Sequence, residues 1–130
     1  MNRDVVSAWL AIYEKAWRTA GVDLLGSLFT EDASYLQGPY DQPVVGLPAI
    51  GRMWEETRDG ADEVFTSTTA IIAVDGPTAV VRVEVKYGEP VTQEYRDLWI
   101  MRFDDDGRCC AYEEWPFWPG QPFTADQSAG

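Results

Sequence analysis

Among the 22 acidic side chains of this 130-residue sequence, Asp97 stands in the most unusual setting. Along residues 92–103, Tyr95, Asp97, Trp99, Met101 and Phe103 fall on one parity, opposite Glu94, Arg96, Leu98, Ile100 and Arg102. Such alternation marks a strand with one buried face, so parity places a carboxyl group among aromatic rings. Desolvation there would raise its pKa toward the range useful for proton transfer; the alternative is a strand-end aspartate paired to a neighbouring arginine or near a wet opening. Glu114 is a second candidate. Tyr112, Glu114 and Pro116 share one parity of the last strand-like segment, and Cys109, Ala111, Glu113, Trp115 and Phe117 share the other. Hydrophobicity would turn Trp115 and Phe117 inward, leaving open whether Glu113 or Glu114 faces the interior, unless a bulge near Trp115-Pro116 satisfies both. If Asp97 and Glu114 share a cavity, one carboxyl holds a proton, and two like groups become an acid and a base. Tyr13, on a helical stripe with Trp9 and Trp17, reads by position as a core tyrosine with its hydroxyl at the rim.

Absences narrow the chemistry. The chain has no histidine, which removes Ser-His-Asp triads, histidine metal clusters and imidazole bases. Its two cysteines, Cys109 and Cys110, are adjacent and point to opposite faces of a strand, a poor geometry for a disulfide and a poor zinc set. They read as small hydrophobes in a reducing cytosol. Asp104-Asp105-Asp106-Gly107 lacks the spaced ligands of a calcium loop, and Trp115 stands where the twelfth-position glutamate is needed. No metal or cofactor is expected. The net charge of −12 argues against nucleic acid and against anionic membranes as partners. The N-terminus leads into an amphipathic segment, and the apolar runs, such as Ala70-Ile71-Ile72-Ala73-Val74, are too short to cross a bilayer. The expected location is the cytoplasm.

The elements that position these residues follow from periodicity. Val5, Val6, Trp9, Tyr13, Ala16, Trp17 and Ala20 recur at helical spacing, predicting a helix over residues 4–20 with Gly21 as its stop. A second, short helix is expected over 22–29, a brief strand over 34–37, and a third helix over 48–59, with Pro48 in its first turn and Gly60 after it. Gly38-Pro39-Tyr40-Asp41-Gln42-Pro43 is a loop by composition, and Gln37 and Tyr40 flank it where it could gate an opening. From residue 64 the period changes to two. Residues 64–74, 78–87, 92–103 and 108–117 read as four strands, with Asp75-Gly76 and Asp106-Gly107 at tight antiparallel turns. Helices followed by strands are the α+β signature, with helices packed on one face of a curved sheet. A single domain over residues 1–123 and a flexible tail over 124–130 are expected. The segment from Trp115 to Phe123, with four aromatics and three prolines, cannot continue a sheet.

The motif Leu28-Phe29-Thr30-Glu31-Asp32-Ala33-Ser34-Tyr35, the stretch from Pro43 to Gly46, Ala49-Ile50 with Trp54, the run from Tyr95 to Phe103, the hairpin from Asp104 to Gly107 and the aromatic segment from Tyr112 to Trp118 together resemble the nuclear transport factor 2-like superfamily. This superfamily is also called SnoaL-like and includes ketosteroid isomerase. The resemblance runs from about residue 5 to residue 119. It implies a cone-shaped, mostly antiparallel sheet wrapped around N-terminal helices, a deep internal pocket and a homodimer. Against ketosteroid isomerases, Tyr13 matches the first-helix oxyanion donor. Gln37 stands where the aspartate base would be, Trp99 where the protonated aspartic acid would be, and Trp54 where a supporting tyrosine would be. An amide takes no proton at neutral pH, so one of three reaction-bearing positions is retained. The histidine-dependent dehydratase and cyclase branches are excluded. The aspartate–arginine site of limonene-epoxide-hydrolase-like members would need Arg96 and Asp97 on one face, which adjacent strand residues do not share.

The resulting expectation is a small-molecule pocket lined by Trp17, Gln37, Tyr40, Trp54, Tyr95, Trp99 and Tyr112. One reading is a cofactor-free lyase or isomerase that uses Asp97, Tyr13 and Glu114 on an apolar carbonyl compound. The alternative is a non-catalytic binder of an apolar or aromatic ligand, and a third reading is a protein-interaction module. Arg82, Glu84, Lys86, Glu94, Arg96, Leu98, Ile100 and Arg102 form an outer face suited to a homodimer. Charge supports this reading: residues 64–103 hold five acids and four bases, whereas 31–63 hold eight acids and two bases.

Overall fold

The computed structural model describes residues 1–58 and 62–122. Helix α1 spans Arg3–Trp17. The Asn2 side chain caps its start by accepting from the Val5 N–H at 3.0 Å, and Asp4 and Lys15 lie in its first and last turns, the order the helix dipole favours. Val6, Trp9, Leu10 and Ala16 form its buried side. The helix ends at Trp17, before the expected residue 20, and Gly21 is not its cap. A long-range contact explains the early stop. The Arg58 guanidinium donates to the carbonyls of Ala16, Trp17, Thr19 and Gly21 at 3.0, 3.2, 2.8 and 3.1 Å, satisfying groups that a further helical turn would have used.

Helix α2 is a single turn, Leu25–Leu28, and β1, Phe29–Leu36, begins where the longer helix was expected to end. The two-residue strand β2, Val44–Val45, was not expected from the sequence; it pairs with β1 through Ser34 opposite Val45. Helix α3 spans Leu47–Thr57 with Pro48 in its first turn, behind Gly46 at a φ of +92°. It stops at Thr57, two residues before the expected end, and Gly60 lies outside the described residues. The long strands β3 (Phe65–Asp75), β4 (Thr78–Tyr87), β5 (Gln93–Phe103) and β6 (Cys109–Phe117) all fall within one residue of expectation.

The six strands form one sheet in the order β2-β1-β6-β5-β4-β3. All neighbours are antiparallel except β1 and β6, which run parallel. The register shifts at Ile72 in β3, at Cys110 in β6 and between Phe29 and Ser34 in β1, and such bulges bend the sheet. The second bulge reverses the parity of β6: Cys109 sits opposite inward Phe103, yet Tyr112 sits opposite inward Met101. Trp115 and Phe117 therefore face outward and are 37% and 45% exposed. The bulge lies at Cys110 and not near Trp115-Pro116. Both cysteines are free thiols. Cys109 is fully buried, and burial pushes its thiol up to about 12.

The helices cover the concave face, α1 against β3 and α2 and α3 against β1. The core joins Val6, Trp9 and Leu10 of α1 to Phe29, Ile50, Trp54, Val81, Val83, Met101 and Tyr112. At the β5–β6 hairpin, Asp104 accepts from the N–H groups of Asp106 and Arg108, both at 2.9 Å, so this acidic run is a self-capped turn. Among the described residues no helix is long and apolar enough to cross a membrane.

Candidate functional site

Between α1, α3 and the concave face of β3–β6 lies a cavity of about 690 Å³. Asp97, Glu114, Tyr13, Trp17, Gln37, Tyr95 and Trp99 are on its wall, so seven of the ten residues expected at a site meet there. Three do not. Tyr40 is 100% exposed on the loop between β1 and β2, where a polar segment offers its ring no apolar partner. Trp54 and Tyr112 are fully buried behind the wall. Trp54 is wedged edge-on between Tyr13 and Trp17 at 5.2 and 4.8 Å, and Tyr112 stacks on Tyr35 at 4.2 Å.

Register brings the two carboxyl groups together. Asp97 pairs with Pro116 and Trp99 with Glu114, so Glu114 is the diagonal inward neighbour of Asp97. Glu114, not Glu113, faces the cavity; Glu113 accepts a hydrogen bond from outward Trp115 at 2.6 Å. Arg96, adjacent to Asp97, points outward beside Glu84 at 3.6 Å, which rules out an Arg96–Asp97 pair in the cavity.

Asp97 is only 7% exposed, and its Oδ1 has no donor at full hydrogen-bond geometry. Burial pushes its carboxyl up to about 6, partly offset by hydrogen bonding from Glu114 and Trp99 and from the Phe117 backbone. Glu114 is pushed well above the ordinary carboxylate range, by burial first and the charge of Asp97 second. Two such groups in contact share a proton between them.

Tyr13 and Tyr35 are joined hydroxyl to hydroxyl at 3.1 Å. The Tyr112 hydroxyl adjoins them without completing a bond of full geometry. Burial raises all three phenols well above their usual range, so they remain protonated donors. The sequence does not single out Tyr35, because a strand expected over only 34–37 is too short to show a buried face; the motif from Leu28 to Tyr35 is the available signal. Gln37 places its amide on the wall, donating to Met53 Sδ at 3.4 Å. Among the described residues no group of three or more His, Cys, Asp or Glu side chains could hold a metal ion.

This cone is similar to several solved structures. A candidate ketosteroid isomerase from Kribbella flavida is 19% identical, with 90% of this chain and 76% of that one aligned at a TM-score of 0.64. The epoxide hydrolase/cyclase-like enzyme SalBIII, of pyran ring formation in the polyether salinomycin, is 14% identical, with 88% and 90% of the two chains aligned at 0.67. A candidate ketosteroid isomerase from Parabacteroides distasonis is 12% identical, with 88% and 86% aligned at 0.59. At such identities the likeness is one of fold. No curated protein matches the sequence. The sequence match is to the SnoaL-like domain and spans residues 9–112, from the middle of α1 to the middle of β6. It includes Tyr13 and Asp97 and stops just before Glu114, and the chain thus belongs to the SnoaL-like domain family.

Proposed function

We propose that the protein binds an apolar or aromatic carbonyl compound in the cavity and moves a proton beside the carbonyl without a cofactor, as a lyase or isomerase. The observation that carries this reading is the meeting of Asp97 and Glu114 in an aromatic cavity, with one Asp97 oxygen buried and unpartnered. Asp97, the more readily ionised, takes the proton from carbon, and Glu114 holds the one that can be returned. Tyr13 donates to the developing oxyanion while Tyr35 donates to Tyr13, a relay that strengthens the terminal donor. The test is turnover of candidate carbonyl compounds by Asp97→Asn and Tyr13→Phe. Full activity in both variants would overturn the assigned roles.

A binding role without turnover is the second reading. It is favoured by Gln37, an amide on the wall where the resemblance puts a base. A ligand recovered chemically unchanged after long incubation would select it.

The protein acts as a cytoplasmic homodimer in this proposal. Its free thiols fit a reducing compartment. The outer sheet face carries Leu98 opposite Trp115, with exposed Phe117 beside them, an apolar strip bordered by charges that a second copy would cover.

A further inference from the structure

With one proton shared, Asp97 and Glu114 still carry one negative charge between them. A buried charge needs a counter-charge, and the cavity does not supply one. Among the described residues, no Lys or Arg lies on its wall. The two arginines that touch wall residues are engaged elsewhere. Arg18 donates to the Phe65 carbonyl at 2.9 Å, lies over the Phe65 ring and pairs with Glu14. Arg58 is spent on the carbonyls after α1 and on Glu55.

Other acidic groups act on the pair's surroundings. Asp41 acts on Glu114 from the β1–β2 loop, and Glu63 and Glu114 act on Tyr87. A recess lined by one sign of charge in a low-dielectric wall concentrates the opposite sign. The remaining wall is rich in rings, among them Trp17, Tyr87, Tyr95 and Trp99, whose π-faces attract cations.

We infer that the ligand of this cavity carries a positive charge on an apolar body: a protonated amine or quaternary ammonium on an aliphatic or aromatic skeleton. Its cationic end lies beside the Asp97–Glu114 pair on the wall and its body against Trp17, Tyr95 and Trp99. The inference rests on the reading of the cavity as a small-molecule site and adds the charge of what enters it.

The test is calorimetric titration at pH 7.5 with three probes of one skeleton: 4-phenylbutylamine, 4-phenylbutan-1-ol and 4-phenylbutanoate. The amine is protonated at that pH and the acid ionised. The amine is expected to bind at least about ten-fold more tightly than the alcohol, and the carboxylate most weakly. The double variant Asp97→Asn/Glu114→Gln should lose the amine preference while keeping its affinity for the alcohol. Glu113→Gln, which removes an outward charge one residue away, should keep the preference. Alcohol or carboxylate binding as tightly as the amine overturns the inference and leaves a small-molecule site standing. No binding of any probe to the wild type overturns both. An amine preference that persists in the double variant overturns the placement beside the pair.

Discussion

Asp97 and Glu114 meet across β5 and β6 as a diagonal pair, each one inward step from the other's cross-strand partner. Neither is paired with a basic residue, and burial is the largest influence on both. This single relationship sets the protonation state, the stability profile and the proposed chemistry of the cavity.

Because the fold raises both carboxyls, the folded chain binds more protons than the unfolded chain above about pH 4. The pair's contribution to stability is therefore fully present at low pH and is lost as pH rises through the folded values, about 6 for Asp97 and well above the ordinary carboxylate range for Glu114. Asp97→Asn should stabilise the protein at pH 8 by on the order of 2 kcal/mol relative to wild type and leave pH 4.5 nearly unchanged. Urea melts at the two pH values check this.

Tyr35 supports Tyr13 and is itself buried at the cavity wall. Tyr35→Phe keeps the ring stack on Tyr112 and removes the relay. It should lower kcat by about three- to ten-fold with KM unchanged, against roughly a hundred-fold for Tyr13→Phe. Steady-state kinetics on an identified substrate separate the two.

Arg58 holds the end of α1 through four carbonyls, a task that needs a planar fork reaching in more than one direction. Arg58→Ala should cost about 2–4 kcal/mol by chemical denaturation, and Arg58→Lys should recover less than half of that.

In the proposed dimer, Leu98 and Trp115 lie at the centre of the contact. Leu98→Asp would bury a charge there and should shift a micromolar sample to monomer in sedimentation velocity, with the circular dichroism spectrum unchanged. A wild type that sediments as a monomer removes the dimer from the proposal.

The four long strands were legible because a period-two pattern is local: each residue reports its own face. That was enough to place Asp97 inward among Tyr95, Trp99, Met101 and Phe103, and to turn Arg96 outward. The absence of histidine likewise excludes a whole set of mechanisms on sequence alone. Other features were not local. Helix α1 stops at Trp17 because of Arg58, forty residues away in sequence, and no periodicity within residues 3–20 records that. Tyr40 and Gln37 flank the same loop, yet only Gln37 reaches the cavity, since the loop carries Tyr40 into solvent. The choice between Glu113 and Glu114 depended on one extra residue at Cys110, which reversed the parity of everything after it. By itself the sequence determined which side chains were available for chemistry and which strands would carry them. The tertiary structure alone decided that two of the carboxyls would share one cavity, because pairing register and burial are properties of neighbours distant in the chain.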